Sequence, residues 1–194
     1  MIVGLPTSRE GVHNRSGRPR RTARAGFTLI EAALTTAITG IAFVAIMQLF
    51  GACTQQNRVG TNMTTAMLLA GHIQETMNGL SFNDPVLGTT YYGPEPGQTL
   101  ANYDDLDDFD GLNFSPPIDS LRRPISGLSQ FTQNVTVVPV LTGQLSSNND
   151  PTIPLIPKTT YTGAARVLVR IFYRNKPSDG PTEVYRTSWI RVDN

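Results

Sequence analysis

Five of the seven residues at positions 104–110 are aspartates: Asp104, Asp105, Asp107, Asp108 and Asp110. Carboxylates packed this densely along a chain suit a hard divalent cation such as calcium. The EF-hand arrangement is absent, because setting Gly111 at its glycine position puts Leu106 at the first ligand position and Pro117 at the last. Two readings stand side by side: a cation site, and a solvated acidic loop with Leu106, Phe109 and Leu112 turned inward. A further carboxylate, Glu31, sits at the front of an apolar run, and residues 32–57 contain no other formal charge. In hydrocarbon an unpaired carboxylate costs on the order of several kcal/mol, so Glu31 needs a partner.

Other reactive side chains are sparse. His13 and His72 are the only histidines, and neither stands in a recognisable nucleophile motif, so no catalytic role follows and the chain reads as a non-enzyme. His72, without a second histidine or cysteine nearby, is read as a surface or boundary residue of a helix. The lone cysteine, Cys53, cannot close an intramolecular disulfide, so packing alone must hold any globular part together. Residues 49–53, L-F-G-A-C, distantly resemble a lipobox, in which the cysteine is acylated after cleavage. Against it stand the long segment ahead of it, Glu31 within the apolar run, and Phe50 where a smaller aliphatic residue is usual. Arg20 and Arg21 suggest a twin-arginine signal that Thr22, Ala23 and Arg24 do not continue. Trp189 is read as a sheet residue, with a subunit interface as its other reading.

The elements that must carry these residues follow from composition and periodicity. With 194 residues, 39% hydrophobic and 16% charged, the chain has room for one membrane helix and one modest globular domain. The net charge of +1 hides an asymmetry: residues 1–26 hold six arginines and one glutamate, +5, leaving ten basic and fourteen acidic residues, −4, in the remainder. Positive charge ahead of a membrane span keeps that side in the cytoplasm, which directs the carboxyl-terminal part outward and argues against a nucleic-acid partner.

Residues 27–50 form a run of 24, against the ~20 needed to cross a bilayer as a helix. Val59, Met63, Ala66, Met67, Ala70, Ile73, Met77 and Leu80 then recur at steps of three and four, the apolar stripe of an amphipathic continuation. No proline occurs between Phe27 and Asp84, and Asn78 and Gly79 are a glycine-type terminus, predicting one helix of roughly 52 residues, about 78 Å. Residues 81–129 shift to Gly, Pro, Asn, Asp and Tyr and read as a long surface-crossing connection. Residues 131–140, 165–174 and 183–192 are rich in Val, Ile, Thr and aromatics with partial two-residue alternation, predicting one antiparallel sheet. A turn is expected at 175–181 and a polar, proline-containing excursion at 142–160. Val167, Val169, Ile171 and Tyr173 are expected to face one way, Arg166, Arg170 and Arg174 the other or its rim. Docking Met63, Met67, Ile73 and Met77 on that sheet gives a two-layer α+β head.

Residues 26–31, G-F-T-L-I-E, resemble the processing motif of the type IV pilin and pseudopilin family residue for residue. The resemblance implies the pilin fold, a long N-terminal helix packed on a small antiparallel sheet. It implies a prepilin leader at 1–26, cleaved between Gly26 and Phe27 by a prepilin peptidase that methylates the new Phe27 amine. The remaining divisions are then a transmembrane and filament-core helix at 27–53, its amphipathic continuation at 54–80, the connection with its acidic loop at 81–129, and the sheet at 130–194. By the same resemblance, Glu31 pairs with the Phe27 amine of a neighbouring subunit during assembly. The partners implied are other pilin subunits, the peptidase/methyltransferase, an assembly platform and ATPase, and inner-membrane lipid. The stretch from Tyr103 through D-D-L-D-D-F-D-G is similar to one in minor pilins of the mannose-sensitive-haemagglutinin type, which implies a pilus subunit with a place in cell adhesion. No cofactor is expected beyond calcium at the acidic run. Location follows: the inner membrane with the head outside the cytoplasm, then an extracellular pilus or a periplasmic pseudopilus. The alternatives are a type II secretion pseudopilin and an exported lipoprotein binding module acylated at Cys53.

Overall fold

The computed structural model describes residues 26–88, 92–141, 143 and 156–193. The proposed leader up to residue 25, with His13, Arg20 and Arg21, and most of the 142–160 excursion lie outside the described residues. In chain order the elements are a helix α1 (Leu29–Asn78), a 3-10 turn (Asp107–Phe109) and four strands, β1 (Asn113–Phe114), β2 (Phe131–Pro139), β3 (Ala164–Tyr173) and β4 (Thr182–Val192). The chain divides into two compact units, Met1–Leu49 and Phe50–Asn194, with the boundary inside α1.

In the first unit every described side chain is exposed, including Leu29, Ile30, Ile38, Ile41 and Phe43. A helix apolar all round belongs in a membrane or a larger protein interior, and this one is long and apolar enough to cross a membrane. Its polar side chains close on themselves. The Thr35 hydroxyl donates to the Glu31 carbonyl at 2.7 Å and that of Thr36 to Ala32 at 2.8 Å, so neither requires water.

In the second unit, α1 presents Ala66, Leu69, Ala70, Ile73, Thr76 and Met77 to the core. They meet Phe131, Val135 and Val137 of β2 and Val167, Val169 and Ile171 of β3 in one cluster, to which Tyr173, Tyr185 and Trp189 add partly buried rings. The sheet is an antiparallel meander in the order β1-β2-β3-β4, with Val135 opposite Val169 and Val167 opposite Trp189. The α+β layering and the three long strands match the sequence expectation; β1 is an addition, two residues paired to Asn134 and Gln133.

Three expectations are corrected. Met63 and Met67 do not dock on the sheet; they are 41% and 45% exposed, and Val59 is exposed as well. At ~100° per residue, Met63 and Met67 stand about 60° and 100° around the helix from Ala66, so the small Ala66 and Ala70 take the centre of the face and the methionines its flank. Val59 points the same way as Ala66, two turns before it.

The helix ends at Asn78 as expected, and the second correction concerns only what closes it. Gly79 is not among the glycines in the left-handed region. Instead the Arg191 guanidinium on β4 donates to the carbonyls of Met77 at 3.0 Å, Asn78 at 3.2 Å and Leu80 at 3.2 Å, satisfying acceptors that a helix end leaves open.

Thirdly, the connection at 81–129 is not confined to the surface. Leu106, Phe109 and Ile118 are fully buried in the core, as the inward reading of the acidic loop requires, and Leu112 packs against them. Arg122 closes the same segment, its guanidinium 5.6 Å from the Phe109 ring centre and donating to the Leu100 carbonyl at 2.8 Å.

Gln133 of β2 clamps these layers. Its side chain has no exposure; its Oε1 accepts from the Ile118 N–H at 2.7 Å while its Nε2 donates to the carbonyls of Leu69 at 2.9 Å and Ile118 at 3.0 Å. Replacing it with leucine of similar size strands the Ile118 amide in an apolar interior. We expect Gln133→Leu to lower unfolding stability by about 2–4 kcal/mol. Denaturant unfolding followed through Trp189 fluorescence checks this; a loss below about 0.5 kcal/mol would show the clamp to be idle.

Candidate functional site

Two places concentrate functional side chains, one in each unit. At the amino-terminal end, Gly26 and Phe27 are exposed and precede the first turn of α1. Thr28 caps that turn: its Oγ1 accepts from the Glu31 N–H at 3.3 Å and its carbonyl from the Ala32 N–H at 3.1 Å. Residues 28–31, T-L-I-E, therefore have the Thr-x-x-Glu spacing of a capping box, a local role for Glu31 that the sequence analysis missed although the spacing carries it. The Glu31 carboxylate is exposed, and no ion pair reaches it among the described residues.

The second place is acidic. The 3-10 turn at Asp107–Phe109 sends successive carboxylates to different sides, which splits the five aspartates of the run. Asp107 accepts from the Gly93 N–H at 2.6 Å. Asp110 accepts from the Val137 N–H at 2.8 Å and pairs with Lys158, tying the loop to β2. Neither joins the remaining three in one donor group. Asp84 and Glu95 take their places: carboxylate oxygens of Asp84, Glu95 and Asp105 lie within 4.8 Å of one another, and those of Glu95, Asp104 and Asp108 do the same. The carboxylates that converge are thus those of Asp84, Glu95, Asp104, Asp105 and Asp108, in two sets that share Glu95, and Asp107 and Asp110 of the expected run stand outside both. Asp84 and Glu95 each stand before a proline, twenty and nine residues ahead of Asp104, and carried no signal of their own.

The scaffold holding these acids is local and hydrogen-bonded. Ser81 N–H donates to the Asp104 carbonyl at 3.0 Å, which brings the strand-like segment after α1 beside the run. One oxygen of Asp84 accepts from the backbone N–H groups of Val86 and Leu87. Asp105 and Asp108 cap each other: Asp108 Oδ2 accepts from the Asp104 N–H at 2.9 Å and the Asp105 N–H at 3.4 Å, and Asp105 Oδ1 from the Asp108 N–H at 3.1 Å.

Crowding shifts the acids' affinity for protons. Sharing a hydrogen bond with Asp84, reinforced by burial, pushes Glu95 up to about 7, while the same bond and the Leu87 N–H pull Asp84 down. Burial, then the charge of Asp107, pushes Asp105 up to about 8, and burial raises Asp108 against the pull of its two backbone donors. Such a group is stabilised by anything that brings positive charge to it.

No protein family, curated protein or solved structure matches this chain. The function therefore rests on the residues themselves. Of the other singled-out side chains, Cys53 is an exposed free thiol within α1, His72 is half-buried on the same helix, and Trp189 packs against the core from β4.

Proposed function

We infer that the chain is a type IV pilin-like structural subunit with the pilin fold, most like a minor pilin, that acts by assembly and not by catalysis. One observation carries the reading. An apolar helix leaves its described side chains bare as far as Leu49, and the one carboxylate of that stretch, Glu31, has no cation among the described residues. Bare apolar surface of this extent is stable only against lipid or other helices.

In this reading the subunit waits in the inner membrane as a single-pass protein with its head outside the cytoplasm. A prepilin peptidase cuts between Gly26 and Phe27 and methylates the Phe27 amine. The apolar half of α1 then exchanges lipid for neighbouring helices, and the exposed amine of one subunit meets Glu31 of the next, each recovering part of the desolvation cost of the other. A platform protein and an ATPase supply the extraction from the bilayer. Acylation at Cys53 would instead cut the chain in the middle of α1, discarding the turns that Thr28 caps.

Intact-mass analysis of native protein tests the reading. The expected species starts at Phe27 and carries one added methyl group. A mature terminus at lipidated Cys53, or filaments built from chains that retain residues 1–26, would overturn it.

A further inference from the structure

Assembly through α1 makes no use of the acidic group in the head, and that group has an unsolved electrostatic problem. Asp108 has no solvent exposure, and its Oδ1 is sealed with no hydrogen-bond partner among the described residues; Glu95 Oε2 is sealed in the same way. Both residues belong to one set, in which one carboxylate oxygen each of Glu95, Asp104 and Asp108 lie within 4.8 Å of one another. A buried carboxylate oxygen without a donor is costly, and such atoms are rare in folded proteins unless something else reaches them.

The ion pairs between described residues lie elsewhere, at Arg123–Asp119, Lys158–Asp110 and Arg186–Glu183. Arg122 is spent on the carbonyls of Leu100 and Ala101.

We propose that the head binds one divalent cation, calcium, between Glu95, Asp104 and Asp108, with the sealed oxygens of Glu95 and Asp108 as inner ligands. The donors are all hard oxygens, the class calcium selects. Two ligands on opposite sides of a calcium ion at ~2.3–2.6 Å stand up to ~5 Å apart, so the spread of these atoms accommodates one ion. Three carboxylates supply up to six oxygens, and the partial exposure of Glu95 and Asp104 admits water to complete a shell of about 6–8. Magnesium, which demands a regular octahedron and gives up its water reluctantly, fits an irregular donor set less well.

The ion would join two stretches that share no strand, the turn around Glu95 and the run at 104–108. The latter is bridged at Asp105 to Ser81, just after α1. Its effect would be to lock the connection onto the head. This inference does not depend on the pilin reading.

The test uses the full-length protein in detergent, stripped with EDTA and titrated with calcium chloride by calorimetry and by thermal unfolding. Calcium at 100-fold above its Kd is expected to raise Tm by about 5–10 °C, with magnesium giving a smaller rise at equal concentration. Asp108→Asn and Glu95→Gln are each expected to weaken binding at least ~10-fold, whereas Asp179→Asn, in the exposed turn between β3 and β4, leaves it unchanged. Glu95 lies at the rim, so its variant keeps the test intact should Asp108→Asn fail to fold. Absence of calcium binding at millimolar concentration, a magnesium response equal to that of calcium, or undiminished binding by Glu95→Gln would each overturn the proposal.

Discussion

Glu31→Gln protein is expected to be cleaved and to reside in the membrane at normal abundance, yet to enter filaments at least ~100-fold less often than the parent chain. The magnitude separates two roles. As the acidic residue of a helix's first turn, Glu31 interacts with the α1 dipole, a contribution of about 0.3–1 kcal/mol, and its backbone N–H on Thr28 Oγ1 is untouched by the substitution. Glutamine is also accepted at the third position of a capping box. If capping were the whole role, incorporation would fall no more than about fivefold. Removing one member of a buried ion pair is another matter, because the amine of the neighbouring Phe27 would be left uncompensated at about 3–5 kcal/mol, or some hundredfold to several thousandfold. Immunoblotting of sheared filaments against the membrane fraction measures the ratio. Incorporation within about fivefold of the parent would assign Glu31 to helix capping and remove charge pairing from the assembly step.

How far the structure could be read in advance depended on whether the governing interaction was local. The extent of α1 was legible because the run at 27–50 lacks proline and charge beyond Glu31, and the three long strands because Val, Ile and aromatic residues cluster between turn-forming segments. The buried face of α1 was read two positions off at Met63 and Met67, since hydropathy favours methionine over alanine while close packing on a sheet favours the smaller side chain. The end of α1 at Asn78 and Gly79 was legible, but its closure was not: Arg191, more than a hundred residues later, satisfies its carbonyls, and no local signal announces such a contact. β1 is two residues long and exists only through its pairing with β2.

The acidic group shows the same boundary. The density of aspartates at 104–110 is visible in the chain, and so is the inward turn of Leu106 and Phe109 between them. Which carboxylates converge is decided by the 3-10 turn and by the approach of Asp84 and Glu95, both tertiary facts. The amino-terminal motif is the reverse case. Its meaning comes from resemblance, and the geometry adds the cap at Thr28 and the bareness of the helix behind it.

Substituting Gly26 with valine is expected to lower the yield of chains beginning at Phe27 at least ~100-fold, equivalent to about 3 kcal/mol on the cleavage barrier. Folding cannot account for such a loss. A Cβ at Gly26 meets no atom within 4 Å, the residue is exposed, and its φ lies outside the left-handed region, so valine is accommodated without strain in the subunit itself. The effect would arise in the peptidase, where a side chain beside the scissile bond displaces the carbonyl from its attack geometry, and misplacement by ~1 Å is enough to cost two orders of magnitude. Intact mass of the membrane fraction gives the outcome directly: the expected species retains residues 1–26, and normal amounts of the Phe27-terminated chain would show that the cleavage does not require glycine at residue 26. The two substitutions should also fail to add. An uncut chain exposes no amine at Phe27, so Glu31 on its neighbour has already lost its partner, and Glu31→Gln in the Gly26→Val background should reduce incorporation no further. Additive losses would mean that the carboxylate and the processed terminus act independently, and the pairing between them would have to be abandoned.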